Sequence, residues 1–277
     1  MVNQMFRPPI IAGVRTTLSI AVLAMLIGVV LGIVLAILRL SPNPLLSKTA
    51  WVYTWFFRAI PRLVLCTLFG DLGILWHRLE IGLPFDRQLG ELVGIHDLSA
   101  RIWGVDARTF LSGFAAGVIA LGLSEAAYMA EIVRAGIQSI DPGQSEASEA
   151  LGLNRGQTMR RIVLPQAMRV IVPPTGNEVI GMLKDTSLVS AVPVTSELFY
   201  QLQAVGNRHF AIVPMLVAAC IWYLIMVSVL MLVQYYVERY FSRGFGQTGR
   251  ARMRVRDLGE VQSGSMIVLP PDTGSLP

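Results

Sequence analysis

The chain has 277 residues, a net charge of +5, 53% hydrophobic residues and only 15% charged ones. Soluble domains carry about a quarter charged residues, so this balance excludes an ordinary soluble enzyme and points to an integral membrane protein. Its two cysteines, Cys66 and Cys220, both sit in apolar runs, which excludes a disulfide scaffold and gives neither a role.

Residues 1–12 are a short N-terminal segment, expected on the extracytoplasmic side. Thr16 to Leu38 carries no charge. It exceeds the roughly 20 residues that cross a bilayer core and shows no cleavage site, so it predicts a retained span. Leu63 to Trp76 is short and holds Asp71, so a second span borrows length from the amphipathic, aromatic stretch Trp51 to Phe57. Trp76 to Arg108 is an outer loop of about thirty residues, long for a connection, and is a place for a partner to dock or for a gate to be capped. Thr109 to Arg134 is a third span, apolar through Met129.

A polar loop, 141–167, precedes the least hydrophobic span, Val170 to Val192. Pro173 and Pro174 at its start predict a helix start after the loop, or a hinge. Ala211 to Val237 is uncharged and forms the fifth span. From 241 to 277 the chain is basic and rich in Gly, Ser and Pro, which predicts a disordered tail. Its Arg250, Arg252, Arg254 and Arg256 suit anionic lipid headgroups of the bilayer better than nucleic acid.

The expectation is an all-α integral membrane protein of about five transmembrane helices, with residues 13–240 as the membrane domain. Segments 39–62, 134–169 and 238–277 hold 15 lysines and arginines, against 7 in 1–15, 77–108 and 190–210. Positive residues collect on the cytoplasmic side, so the reading is N-out and C-in, with loop 141–167 facing the cytoplasm.

Ionisable groups at membrane depth are costly and face a cavity or one another. In the fourth span Asn177, Gly181 and Lys184 share one stripe, while Glu178 and Asp185 share the next. Asn177 and Glu178 lie near mid-helix, where transported solutes bind, and Gly181 lets a ligand or helix approach the backbone. These three are read as substrate pathway. Glu125, near the middle of the third span, either meets a cationic solute or is satisfied by a neighbouring helix. Lys184 and Asp185 are read as structural or gating residues. So are Glu131 and Arg134, three apart and able to pair near the inner end of span three. Gly28 with Gly32, and Gly113 with Gly117, have the spacing that lets helices pack closely.

Enzyme readings find no support. There is no Gly-x-x-x-x-Gly-Lys-Ser/Thr phosphate loop and no Gly-x-Ser-x-Gly elbow. His77, His96 and His209 lack metal-ligand spacing, so no metal is expected.

The loop reads Glu146-Ala147-Ser148-Glu149-Ala150-Leu151-Gly152 and, after nine residues, Ile162-Val163-Leu164-Pro165. It resembles the Glu-Ala-Ala (EAA) loop of the permease subunits of ABC importers, with Ser148 where that family has alanine. Ala126-Ala127-Tyr128-Met129-Ala130-Glu131-Ile132-Val133-Arg134, and Asn177-Glu178 with Lys184-Asp185-Thr186-Ser187-Leu188, are similar to segments of the polar amino-acid group (histidine, glutamine or arginine type). Arg58-Ala59-Ile60-Pro61 resembles a degraded Arg-Gly-Thr-Pro turn.

The resemblance implies a multi-pass inner-membrane permease of a prokaryote. It would work with a second permease subunit, two ATP-binding subunits and an extracytoplasmic solute-binding protein. It implies a coupling helix that engages the ATPase through Glu146, Ala147, Ser148, Gly152, Ile162, Leu164 and Pro165. Glu146 would supply a charge-assisted contact, Ala147 and Ser148 close approach, and Gly152 the turn. ATP and magnesium would sit on the partner ATPase, with no cofactor in this chain. The rival readings are a self-sufficient secondary transporter and a non-transporting membrane anchor. Five spans without a visible repeat, together with such a loop, speak against the first.

Overall fold

The structure is a computed structural model and describes residues 6–75, 78–82, 101–106, 113–192 and 194–242. The chain divides into units Met1–Phe241 and Ser242–Pro277, and the tail beyond Ser242 lies outside the described residues.

Helix α1, Pro8–Arg39, opens with proline in its first turn, where a missing N–H costs nothing. It is apolar all round but sorted by size. Ala24, Gly28, Gly32 and Ala36 are buried, while Leu18, Val22, Leu26, Val30, Ile33 and Ile37 are exposed and form an apolar outer side. Without a hydrophobic drive between helices in lipid, such a small-residue face gains by close packing. It lies on α4, Gly113–Gln138, the most enclosed of the long helices. A Cβ on Gly28 would stand 2.5 Å from Glu125 Cγ, and one on Gly32 2.5 Å from Met129 Cβ.

The second span is angular rather than continuous. Helix α2, Pro44–Ala59, is capped by Asn43, whose side chain accepts from the Leu45 N–H at 2.9 Å. Pro61 forces Ile60 into an extended conformation and ends the helix. Helix α3, Arg62–Leu75, then leaves at a bend of 100°. No left-handed residue is needed at this elbow, so the missing glycine of the Arg58–Pro61 segment leaves it intact.

Strands β1, Arg78–Gly82, and β2, Arg101–Asp106, pair antiparallel with Arg78 opposite Asp106, adding a ribbon to an otherwise helical chain. The remainder of the 76–108 loop lies outside the described residues.

The polar loop is itself helical. Helix α5, Pro142–Ala150, is capped by Asp141 and ends at Gly152, whose φ of +81° belongs to the left-handed region that favours glycine. Helix α6, Arg155–Thr158, has a capping box between Asn154 and Gln157. A π turn, Met159–Val163, leads into α7, Leu164–Asp185, and a 3₁₀ turn, Thr186–Ala191, follows. The expectation that Pro173-Pro174 stand in the first turn of a helix starting near Val170 is corrected, because α7 begins at Leu164 and runs through both prolines. Proline leaves carbonyls without a donor. Here Pro173 and Pro174 withhold the N–H groups that would meet the carbonyls of residues 169 and 170, the Thr175 hydroxyl adds a donor to the next carbonyl, that of Ile171, at 2.8 Å, and the wide π turn lies just ahead of Pro165.

Helix α8, Leu198–Arg208, and α9, Ile212–Ser242, complete the chain. By length and apolarity α1, α4 and α9 can each cross a membrane, and α2 with α3 qualifies as one bent pair. Helix α7 is too polar for this, since it carries Arg169, Glu178, Lys184 and Asp185.

Candidate functional site

Arg62 is the first residue after the Pro61 elbow, so its side chain enters the space between α4 and α7. It meets three carboxylates there. Nη2 lies 3.0 Å from Glu125 Oε2 and 3.4 Å from Glu178 Oε2, and Nη1 pairs with Asp185 Oδ2. The guanidinium also sits 4.7 Å from the centre of the Tyr128 ring, which Arg58 approaches at 5.5 Å. The side chains of Glu178 and Asp185 are 28% and 33% exposed, whereas Glu125 is wholly buried. Among the described residues, Glu125 Oε1 and the neighbouring Ser124 hydroxyl have no hydrogen-bond partner.

Of the two readings open for Glu125 in the sequence, this placement matches the carboxylate held by a neighbouring helix. Glu178 and Asp185 share one partner, as their common stripe on α7 implies. Asn177 is exposed, and its Oδ1 accepts from Gln234 Nε2 of α9 at 3.1 Å. Around Gly181 there is open space, with nothing within 4 Å of a Cβ placed there. Lys184 is exposed on that same stripe and makes no ion pair with a described residue. Of the two, Asp185 is the one tied inward within this chain, through Arg62. Glu131 and Arg134 pair at 2.6 Å, and Arg39 joins Glu131 at 3.1 Å, clamping the end of α1 to α4.

On α5, Glu146, Ala147, Glu149 and Ala150 are exposed, as are Gly152, Leu164 and Pro165, with Ile162 half-buried. Leu151, 84% exposed, adds an apolar tip that the sequence reading passed over. Ser148 is the exception. It is buried, and its hydroxyl lies 2.8 Å from that of Thr158, so it braces α5 against α6 and does not offer a surface to a partner. Ser148→Ala is expected to cost about 1 kcal/mol locally while leaving the outer face of α5 unchanged. Faster amide exchange over 145–158, with solute uptake maintained, is the expected result; loss of uptake with unchanged exchange contradicts it.

Arg62 escaped the sequence reading because it was counted as a loop charge, and only the elbow turns it inward. Glu197 escaped as well. It is buried, caps α8 through the N–H groups of Phe199 (2.7 Å) and Tyr200 (3.1 Å), and accepts from the Thr17 hydroxyl of α1 (2.9 Å) and the Tyr223 hydroxyl of α9 (3.0 Å). Its sequence signal was a capping residue ahead of a helical run. Among the described residues no group of three or more His, Cys, Asp or Glu side chains is arranged to hold a metal.

Residues 28–243 match the family described as the inner membrane component of binding-protein-dependent transport systems. The chain belongs to this family. The permease is 42% identical to an arginine transport system permease protein, ArgU, of Corynebacterium glutamicum, over 97% of this chain and 80% of that protein. It is 40% identical to an L-cystine transport system permease protein, TcyL, of Bacillus subtilis, over 68% of this chain and 69% of that one. A solved amino acid ABC transporter with histidines superposes with a TM-score of 0.64 at 29% identity, covering 84% of the permease and 94% of the solved chain. The permease is thus a multi-pass membrane subunit of an ABC importer, and the readings of a self-powered transporter or a passive anchor fall away.

Proposed function

We propose that this permease carries polar amino acids, basic ones preferred, inward across the membrane. The observation that carries this reading is the α7 face on which half-open Glu178 and Asp185 adjoin the empty space at Gly181, two carboxylates where a solute cation can be met. Exposed Asn177 and Lys184 on the adjoining stripe suit the amide and carboxylate chemistry of an amino acid's other end. The arginine specificity named for ArgU is consistent with that charge.

The reading includes five crossings, with α2–α3 as one bent span and α7 sheltered from lipid by a second permease subunit, identical or not. It places the N-terminus outside and the tail from 241 inside. Arg62 points into the helices and drops out of the charge count, yet the excess of basic residues on the inner segments persists. An extracytoplasmic binding protein delivers the solute, and two ATP-binding subunits hold the nucleotide and magnesium. This chain performs no hydrolysis and holds no cofactor of its own. The outer face of α5, from Glu146 to Leu151, seats in the ATPase, and Gly152 sets its end. ATP binding draws the two coupling helices together and turns the pathway outward, and hydrolysis returns it. The solute biases this cycle only through its different affinity for the two states.

Glu178→Gln tests the site. In the reconstituted complex it is expected to reduce uptake of basic amino acids about tenfold relative to neutral ones, the loss of one partly solvated charge contact. An unchanged ratio of basic, neutral and acidic uptake removes Glu178 from the pathway.

A further inference from the structure

We infer that Arg62 is a tethered stand-in for the cationic end of the solute, holding Glu178 and Asp185 while the pathway is empty and releasing them when an ammonium or guanidinium arrives. The inference rests on the reading of those two carboxylates as the cation-facing part of the pathway.

Charge comes first. One guanidinium faces three carboxylates, so the cluster has room for a second positive group and gains from one. The contacts are also graded in depth. Arg62 is 14% exposed, Glu178 and Asp185 are twice as open, and Glu125 is wholly enclosed. A solute cation therefore reaches Glu178 and Asp185 before anything else in the cluster.

Arg62 has somewhere to go. Glu125 offers Oε2 to Nη2 already, at 3.0 Å, and its other oxygen, Oε1, is buried with no donor. A buried acceptor without a partner is costly. If Nη1 leaves Asp185 for Glu125 Oε1, the guanidinium closes a two-pronged fork on one carboxylate, the geometry that arginine forms best. The Tyr128 ring, already beneath the guanidinium, accompanies that movement. In this second position Arg62 satisfies the orphaned oxygen and hands two outer carboxylates to the solute. A lysine or leucine at this elbow lacks the fork that makes the exchange balanced.

A residue that competes with the solute lowers apparent affinity by the fraction of time the site is occupied. The test is equilibrium binding of radiolabelled L-arginine and L-glutamine to the purified permease–ATPase complex without its binding protein. Arg62→Met removes the competitor but strands buried Glu125, so the decisive variant is Arg62→Met combined with Glu125→Gln. In that double variant arginine binding is expected to tighten about tenfold with glutamine binding unchanged. Arg62→Lys, which keeps the charge but lacks the fork to withdraw onto Glu125, is expected to bind arginine no better than the parent. A monodisperse double variant that binds arginine no better than the parent overturns the stand-in role and leaves Arg62 a packing tie. If instead Glu178→Gln with Asp185→Asn leaves arginine binding intact, the cation site itself is misplaced, and the inference falls with it.

Discussion

Glu146→Lys is expected to abolish solute-stimulated ATP hydrolysis and cut uptake by roughly a hundredfold, while the ATPase subunits retain their basal turnover. Glu146 stands exposed on α5 beside Ala147, with the apolar tip Leu151 one turn on. Inverting a charge at the centre of a small docking surface both removes an attraction and creates a repulsion, about 3 kcal/mol for a closely matched pair. At about 1.4 kcal/mol per factor of ten, that is enough for the stated loss. Gly152→Asp is expected to act in the same direction. A Cβ there meets no described atom within 4 Å, so the damage arises from a backbone held at φ +81° and from new charge on the proposed partner-facing surface. Stimulated hydrolysis at parental rates in both variants would show that α5 is not where the ATPase takes hold.

The second large effect concerns Gly28. Valine there drives a Cβ into Glu125, whose Cγ and Cβ lie 2.5 and 2.7 Å from the site. Overpacking of this kind costs about 1–3 kcal/mol. Pushing Glu125 off Arg62 breaks a buried ion pair, at about 3–5 kcal/mol. The complex carrying Gly28→Val is therefore expected to lose most of its thermal stability in detergent, and little should reach the membrane assembled. Gly181→Ala is the matched control, since open space surrounds that position. Equal melting of the two variants would mean that α1 and α4 do not approach as closely as described.

The long apolar runs and the small-residue spacing on α1 were legible from composition and periodicity, because lipid demands both. Loop 141–167 was legible because its cap, its left-handed glycine and its proline are local features. What periodicity could not reveal was direction. Arg62 reads as a loop charge until Pro61 turns the chain through 100°. Lys184 and Asp185 are neighbours of like appearance, yet one faces open space and the other an arginine 123 residues away. Ser148 looked like one more small residue on a docking face, and only its contact with Thr158 shows that it points inward. The two prolines of α7 read as a boundary because proline favours a helix's first turn, whereas here the helix continues through both.

The run from α6 through the π turn into α7 has no break between Arg155 and Asp185. At about 1.5 Å per residue it is a shaft some 45 Å long. Its lower end is keyed to α5 by the Ser148–Thr158 contact, and its upper part bears Asn177, Glu178 and Asp185. Its hydrogen-bonded backbone is continuous, with the π turn and the Pro173–Pro174 pair as the two places where it can flex. In the proposed cycle, a displacement at its foot reaches the carboxylates only after those two flexible points have taken their share, so the spring between motor and solute is built into a single helix.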